Sequence, residues 1–335
     1  MNGPEFHTRI LEISRRFAGQ NVLVAGDVML DRYIWGTVAR VSPEAPVPIV
    51  ARSRTTCSPG GAGNVAATIA ALSGHPRLFG VAGTGADAED LRAALAARGV
   101  AQDDIVLSRN RKTTVKTRVI AHSQQLLRID DEDRDPIDDA LADQVCSRIG
   151  AALRTAKVLI LSDYAKGLLT PKLTSWGIQE ARRHGVHVLV DPKGQRYEHY
   201  KGASLLTPNQ HEAFLAAGLA HDPQATVAEA GKRLLASLEI DALLITQGES
   251  GMTLFERPDS MTHLPACARV VYDVTGAGDA VIATLALALA AGASLLEATF
   301  LANVAGGLSV EQVGTATLTP EALEGALTAS REASA

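Results

Sequence analysis

The stretch that decides the fold runs from Lys157 to Val190: KVLILSDYAKGLLTPKLTSWGIQEARRHGVHVLV. Its two ends, Lys157–Leu161 and Val186–Val190, are short apolar runs with few polar interruptions, and Leu173–His184 between them is amphipathic at helical spacing. Strands that lack a polar/apolar alternation are buried on both faces, and two of them joined by a helix pair in parallel. Outward from this unit the same rhythm recurs. Asn21–Gly26, Arg77–Val81, Ser204–Leu206 and Ala242–Thr246 read as strands, and Asn64–Leu72, Ala88–Ala97, Ala140–Leu153 and Val227–Leu238 as helices. The expected fold is α/β, an αβα sandwich around a mainly parallel central sheet.

Two stretches break the rhythm. Tyr33–Thr56 has no helical period and carries Pro43, Pro46 and Pro48, which a central strand does not tolerate. Lys112–Asp130 is rich in β-branched residues and reads as a hairpin. Together they predict a small β-sheet lid, about 31–57 and 112–130, on a single domain spanning 1–335 whose core is about 1–30, 58–111 and 131–335.

Composition narrows the functional classes. The 335 residues are 46% hydrophobic and 21% charged, which excludes a largely disordered chain. With 32 Lys and Arg against 37 Asp and Glu, the net charge of −5 gives no general attraction to nucleic acid or anionic membrane. Any bound anion must therefore be held by local groups. Cys57, Cys146 and Cys267 lie far apart and read as buried small hydrophobes, neither a disulfide framework nor a zinc site. Met1–Gln20 is amphipathic and unlike a signal peptide, and Ala280–Leu296 is too short to span a membrane and reads as a buried helix. A cytoplasmic protein is expected.

Five motifs carry chemistry. Asp273-Val-Thr-Gly-Ala-Gly-Asp279 leads into the Ala-rich helix and leaves the amides of Gly276, Ala277 and Gly278 at its N-terminus, where they stabilise an anion. A carboxylate in such a nest repels a ground-state phosphate, so Asp279 makes sense as a general base beside a phosphoryl group; the plainer alternative is a capping turn. Pro59-Gly-Gly-Ala-Gly-Asn64 opens a helix far from the first strand, which argues against a dinucleotide fingerprint. Gly60 and Gly61 permit close approach of a ligand and Asn64 offers both a donor and an acceptor, or the segment is a turn with Asn64 near an N-cap. Asp27 and Asp31, after the first strand, face the ligand crevice of an α/β sheet, although Asp31 can also pair locally with Arg32. In Thr207-Pro-Asn209-Gln-His-Glu212, Asn209 and Glu212 share a helical face and can hold Mg²⁺ through water, or form a capping box. Thr246, Gly248 and Gly251 form a glycine turn whose amides can touch a nucleotide phosphate, or a plain hairpin. No Walker A sequence is present.

Pro59–Asn64 and Asp273–Asp279, in this order, resemble the two signature motifs of the ribokinase (phosphofructokinase B) carbohydrate kinase family, over about residues 20–325. The strings GDVMLDRYIWG (26–36), VSPEAPVP (41–48), LSDYAKG (161–167), VDPKG (190–194), Leu206–Asn209 and Val271–Asp279 resemble its D-glycero-β-D-manno-heptose 7-phosphate kinase branch. That resemblance implies ATP-dependent phosphorylation of the heptose 7-phosphate at O1, on the route to ADP-heptose and lipopolysaccharide core. The fused adenylyltransferase of many relatives carries an H-x-G-H motif that is absent here, so the stand-alone form is expected.

The family implies Asp279 as base, with Gly276, Ala277 and Gly278 as the anion hole. It implies Asp27, Gly60, Gly61 and Asn64 in the sugar site. Asn209, Glu212, Thr246, Gly248, Gly251 and Asn303 fall in the ATP and Mg²⁺ region, with Asn303 near adenine. A potassium-like cation is expected near Asp273–Thr275, with later ligands near Gly314, and a homodimer through the lid. The sugar phosphate is a dianion that needs cations. Lys116, Arg118 and Arg128 of the lid and Lys193 of the core are the candidates, Arg118 first because its planar fork matches phosphate. Taken singly, each can equally be a solvated or structural charge.

Overall fold

The computed structural model describes residues 3–122, 124–267, 274–311 and 318–332. Its large sheet has nine strands in the spatial order Ser260–Leu264, Met252–Glu256, Ala242–Thr246, Leu205–Leu206, His187–Asp191, Val158–Ser162, Asn21–Gly26, His75–Ala82 and Ile105–Leu107. All neighbours pair in parallel except at one edge, where Met252–Glu256 and Ser260–Leu264 run antiparallel.

Alternate side chains of the central strands enter two separate cores. Val22, Val24, Val158 and Ile160 pack with helices Ala62–Ala71, Ala277–Ala290 and Leu295–Val310. Leu23, Ala25, Leu159 and Leu161 pack on the other face with helices Asp139–Leu153, Pro171–Arg183 and Val227–Leu238. All five residues of Val158–Ser162 are buried, which is why that strand shows no polar alternation. The Ala-rich run is two helices, Ala277–Ala290 and one starting at Leu295, and no described helix is long and apolar enough to cross a membrane.

The second sheet has four strands in the order Pro48–Gly61, Val28–Val41, Thr114–Ala121, Gln124–Asp131. The proline-bearing stretch is a long hairpin that admits Pro48 as the first residue of an edge strand. The chain passes from the large sheet into this small one at Asp27, directly between Asn21–Gly26 and Val28–Val41. It returns through Gly61, whose φ of +57° and 2.4 Å Cβ approach to the Asp27 carbonyl would exclude any side chain.

The cysteines depart from expectation. All three are free, but Cys57 and Cys267 are exposed and Cys146 is half-buried, so they are not core hydrophobes. Cys57 lies on an edge strand of the small sheet and is exposed there.

Candidate active site

The parallel strands all end on one side, and the loops that follow Asn21–Gly26, Val158–Ser162, His187–Asp191, Leu205–Leu206 and Ala242–Thr246 stand next to one another. This is where α/β sheets bind ligands. The start of helix Ala277–Ala290 meets the same edge. Its N-cap Gly276 has φ +84°, which a glycine adopts without strain, and a Cβ there would come within 3.2 Å of the Asn64 amide nitrogen. The helical ladder begins only at Ala280 N–H, which donates to Gly276 O at 3.0 Å. Of the amides ahead of it, Ala277 N–H makes a 3.3 Å turn bond to Val274 O.

Asp279 is 6% exposed in the first turn of this helix. Asn64 Nδ2 donates to its Oδ2 at 2.6 Å and Tyr164 Oη donates to its Oδ1 at 2.5 Å. Burial pushes the carboxyl up to about 6; the two hydrogen bonds oppose that shift, and the negative charge of Asp31 adds to it. Such a group is ionised at neutral pH and close to protonation, which suits a general base. The two glycine motifs thus meet in one place, through Asn64 and Asp279.

Asp27 is buried at the end of the first strand and has both oxygens occupied by backbone. Its Oδ2 accepts from the amides of Tyr164 and Lys166 at 3.0 Å each, and its Oδ1 from Leu168 at 3.1 Å. It is the anchor of the loop 163–168. Asp31 does not pair with Arg32. Arg118 Nη1 donates to it at 2.5 Å, whereas Arg32 reaches Asp87 and Asp90 at 2.6 and 2.9 Å. Gly60 lies against Asp31, where a Cβ would approach Oδ2 to 2.4 Å.

Asn209 and Glu212 form a capping box at helix Gln210–Ala216. Glu212 Oε2 accepts from Asn209 N–H at 3.1 Å, and its Oε1 pairs with Lys193 Nζ at 2.5 Å. Both cations favoured for a substrate phosphate, Arg118 and Lys193, thus already carry a carboxylate partner. Asp191 lies nearby, its carbonyl accepting from Asp163 N–H at 3.0 Å while its carboxylate accepts no hydrogen bond from the described residues. Burial and the charges of Asp279 and Glu212 hold its carboxyl well above the usual range. Among the described residues no three His, Cys, Asp or Glu side chains converge to cage a metal ion. A cation that keeps most of its water and uses one or two carboxylates, as Mg²⁺ does, fits the repelling pair Asp191 and Glu212. Thr275 lies just before Gly276; Asp273 and Gly314 lie outside the described residues.

A cleft of about 310 Å³ opens beside the helix start, lined by Thr246, Gly248, Gly251, Gly278, Val281 and Asn303 among others. Four of the expected nucleotide-region residues therefore share one wall with the anion-hole turn. Asn303 Nδ2 donates to Pro265 O at 2.8 Å and Cys267 Sγ at 3.3 Å, which fixes the loop across the cleft. Tyr164 and Asp191 are the site residues that motif reading did not single out, although both lie inside quoted strings, LSDYAKG and VDPKG. Their signal was position: Asp191 ends a buried strand and Tyr164 stands two residues beyond another.

Comparisons with known proteins agree with this geometry. The pattern described as "pfkB family carbohydrate kinase" matches residues 20–322. Relatives include the bifunctional protein HldE of Caulobacter vibrioides, 46% identical over 311 residues, covering 92% of this chain and 64% of that protein. The HldE of Halorhodospira halophila is 49% identical over 311 residues, covering 93% of this chain and 64% of that protein. The chain thus spans less than two thirds of the length of these curated relatives. A ribokinase from Arabidopsis thaliana complexed with ribose and ATP shares the fold with TM-score 0.71 at 20% identity, over 92% of this chain and 99% of that one. Phosphofructokinase-2 from Escherichia coli, in complex with substrates and products, does so with TM-score 0.76 at 20% identity, over 92% and 99%. With its fold that of ribokinase and its sequence matched almost from end to end, this chain belongs to the pfkB family of carbohydrate kinases.

Proposed function

We propose that this sugar kinase transfers the γ-phosphoryl group of ATP to O1 of D-glycero-β-D-manno-heptose 7-phosphate, giving the 1,7-bisphosphate on the route to ADP-heptose and lipopolysaccharide core. The observation that carries the chemistry is Asp279, buried, doubly hydrogen-bonded and set at a helix N-terminus. The choice of sugar rests on the heptose-kinase-like strings and on the likeness to the HldE proteins.

Asp279 takes the proton from O1, the O1–P bond forms, and the bond from γ-phosphorus to the bridging oxygen breaks to release ADP. The amides at Gly276–Gly278 hold the charge on the transferring group. Glu212 and Asp191 would hold Mg²⁺, which would supply charge neutralisation to the nucleotide phosphates. The cleft beside Asn303 is large and apolar enough for a nucleoside. A monovalent cation near Asp273–Thr275 remains part of the proposal.

The 7-phosphate finds its cation on the small sheet, which serves as the lid. With Arg118 closed on Asp31, the better candidate is Lys116, which stands opposite Asp31 in the parallel register. The Lys116 ammonium makes no hydrogen bond or ion pair with the described residues, and burial with the charges of Lys166 and Arg128 pushes its pKa down. An anion there would relieve that repulsion. The same sheet exposes Val41, Val47, Leu126, Leu127 and Ile129, an apolar surface that supports pairing of two chains through the lid.

An ADP-release assay across the heptose 7-phosphate, fructose 6-phosphate, ribose and adenosine tests the reading. The heptose phosphate is expected to lead in kcat/KM by at least about 100-fold. A higher kcat/KM for any other acceptor overturns the choice of sugar.

A further inference from the structure

The loop 163–168 joins the sugar side of the site to Asp279, and it is held by more bonds than a connecting loop needs. Three of its amides converge on the buried Asp27 carboxylate at 3.0–3.1 Å. Asp163 is fixed in turn: Ala165 N–H donates to its Oδ1 at 2.7 Å, and the buried Tyr200 hydroxyl donates to its Oδ2. Ala165 adopts φ +54°, a conformation that a residue with a Cβ adopts only when its surroundings impose it. What this scaffold delivers is the Tyr164 hydroxyl, 2.5 Å from Asp279 Oδ1. The contact joins residues 115 apart in sequence.

We propose that Tyr164 is a positioning residue for the phosphoryl transfer, orienting the Asp279 carboxylate and setting its basicity through a hydroxyl held in place by Asp27. The proposal rests on Asp279 being the base and goes beyond it by naming what aims and tunes it. A carboxylate in a first helical turn can rotate about its side-chain torsions. Asn64 alone fixes one oxygen, and Tyr164 fixes the second, so both together define the plane in which the remaining lone pairs meet the sugar hydroxyl.

The groups that act on the charge of Asp279 come from four elements. Asn64, on helix Ala62–Ala71, and Tyr164 stabilise the carboxylate. Asp31, on strand Val28–Val41 and paired with Arg118, disfavours it. Asp191, at the end of strand His187–Asp191, is a like-charged neighbour. Tyr164 itself stays neutral, because burial and the charges of Asp279, Asp191 and Asp31 push its phenol well above the ordinary range. It is therefore a donor to Asp279 throughout the working pH range.

The test is the pH profile of kcat for Tyr164→Phe beside the parent protein, with MgATP and whichever sugar the acceptor screen ranks first. The substitution removes one oxygen and keeps the ring, and circular dichroism checks the fold. Without the donor, the acid limb is expected to move up by about one pH unit. On the alkaline plateau kcat is expected to fall about 10-fold with KM little changed. The sugar's own ionisation is common to both proteins and drops out of the difference. A second variant with 3-fluorotyrosine at 164 keeps the shape and strengthens the donor, so its limb is expected to move down. A lower kcat with both limbs unmoved overturns the proposal, because a merely structural role reduces the rate at every pH alike. Near-native turnover of Asp279→Ala would instead overturn the base itself.

Discussion

The two sheets of this kinase are built on opposite terms. Strand Val158–Ser162 at the centre of the large sheet is buried at every residue, whereas strand Gln124–Asp131 at the edge of the small sheet is exposed at every residue. The large sheet is covered on both faces by helices, and the small one is held by cross-strand pairs and by ion pairs such as Arg118–Asp31 and Arg32–Asp87. The first can hold a base to within a fraction of an ångström. The outer strand Gln124–Asp131 of the second, exposed throughout, can shift at little cost, since surface pairs contribute only about 0–1 kcal/mol each. The proposed function assigns catalytic precision to the large sheet, and recognition and closure to the small one.

That division can be broken by experiment. The largest effect is expected at the base: Asp279→Ala should lower kcat by roughly 10²–10⁴ with little change in fold, read in the ADP-release assay. Next is the platform, where Ile160→Ala should destabilise by about 2–5 kcal/mol in chemical denaturation. The matched change Leu127→Ala on the small sheet should stay within about 0.5 kcal/mol. Equal costs for these two would erase the contrast.

The pH dependence follows from the direction of the Asp279 shift. Its carboxyl is raised to about 6, so the base is lost as pH falls through that value, and kcat should fall about tenfold per unit below it. For folding the sign is opposite: the native state prefers the protonated form, so stability is lost as pH rises from the ordinary carboxyl range through about 6. Asp279→Asn should accordingly melt higher than the parent at pH 7.5, by about 1–3 kcal/mol equivalent, while inactive. On the small sheet, Lys116→Ala should raise KM for a phosphorylated sugar about 10-fold and leave kcat within a factor of about two. The smallest signal in rate is expected from Leu127→Asp, which should dissociate a lid-mediated dimer in light scattering without unfolding the chain.

The comparison also explains what could be read in advance. The unbroken apolar runs located the central strands, and the glycine turns located Asn64 and Asp279 at helix starts. The plainer reading of Asn209 and Glu212 is present as a capping box, because it depends only on residues three apart. Arg118 was a sound candidate for phosphate by chemistry, yet it faces Asp31 because the parallel pairing of Val28–Val41 with Thr114–Ala121 brings the two strands side by side. Cys57 and Cys267 proved exposed because burial depends on the covering element, which composition does not reveal.

The sequence by itself determined the α/β class, the strands of the platform and the helix starts that carry Asn64 and Asp279. These are set by apolar periodicity and by glycine stereochemistry, which act over a few residues. Only the tertiary structure decided which groups meet. Asn64 and Tyr164 reach Asp279 across 215 and 115 residues, and Asp27 holds the loop that brings Tyr164 there. Those pairings come from the order and register of strands in a sheet, a property of the whole chain that no short stretch encodes.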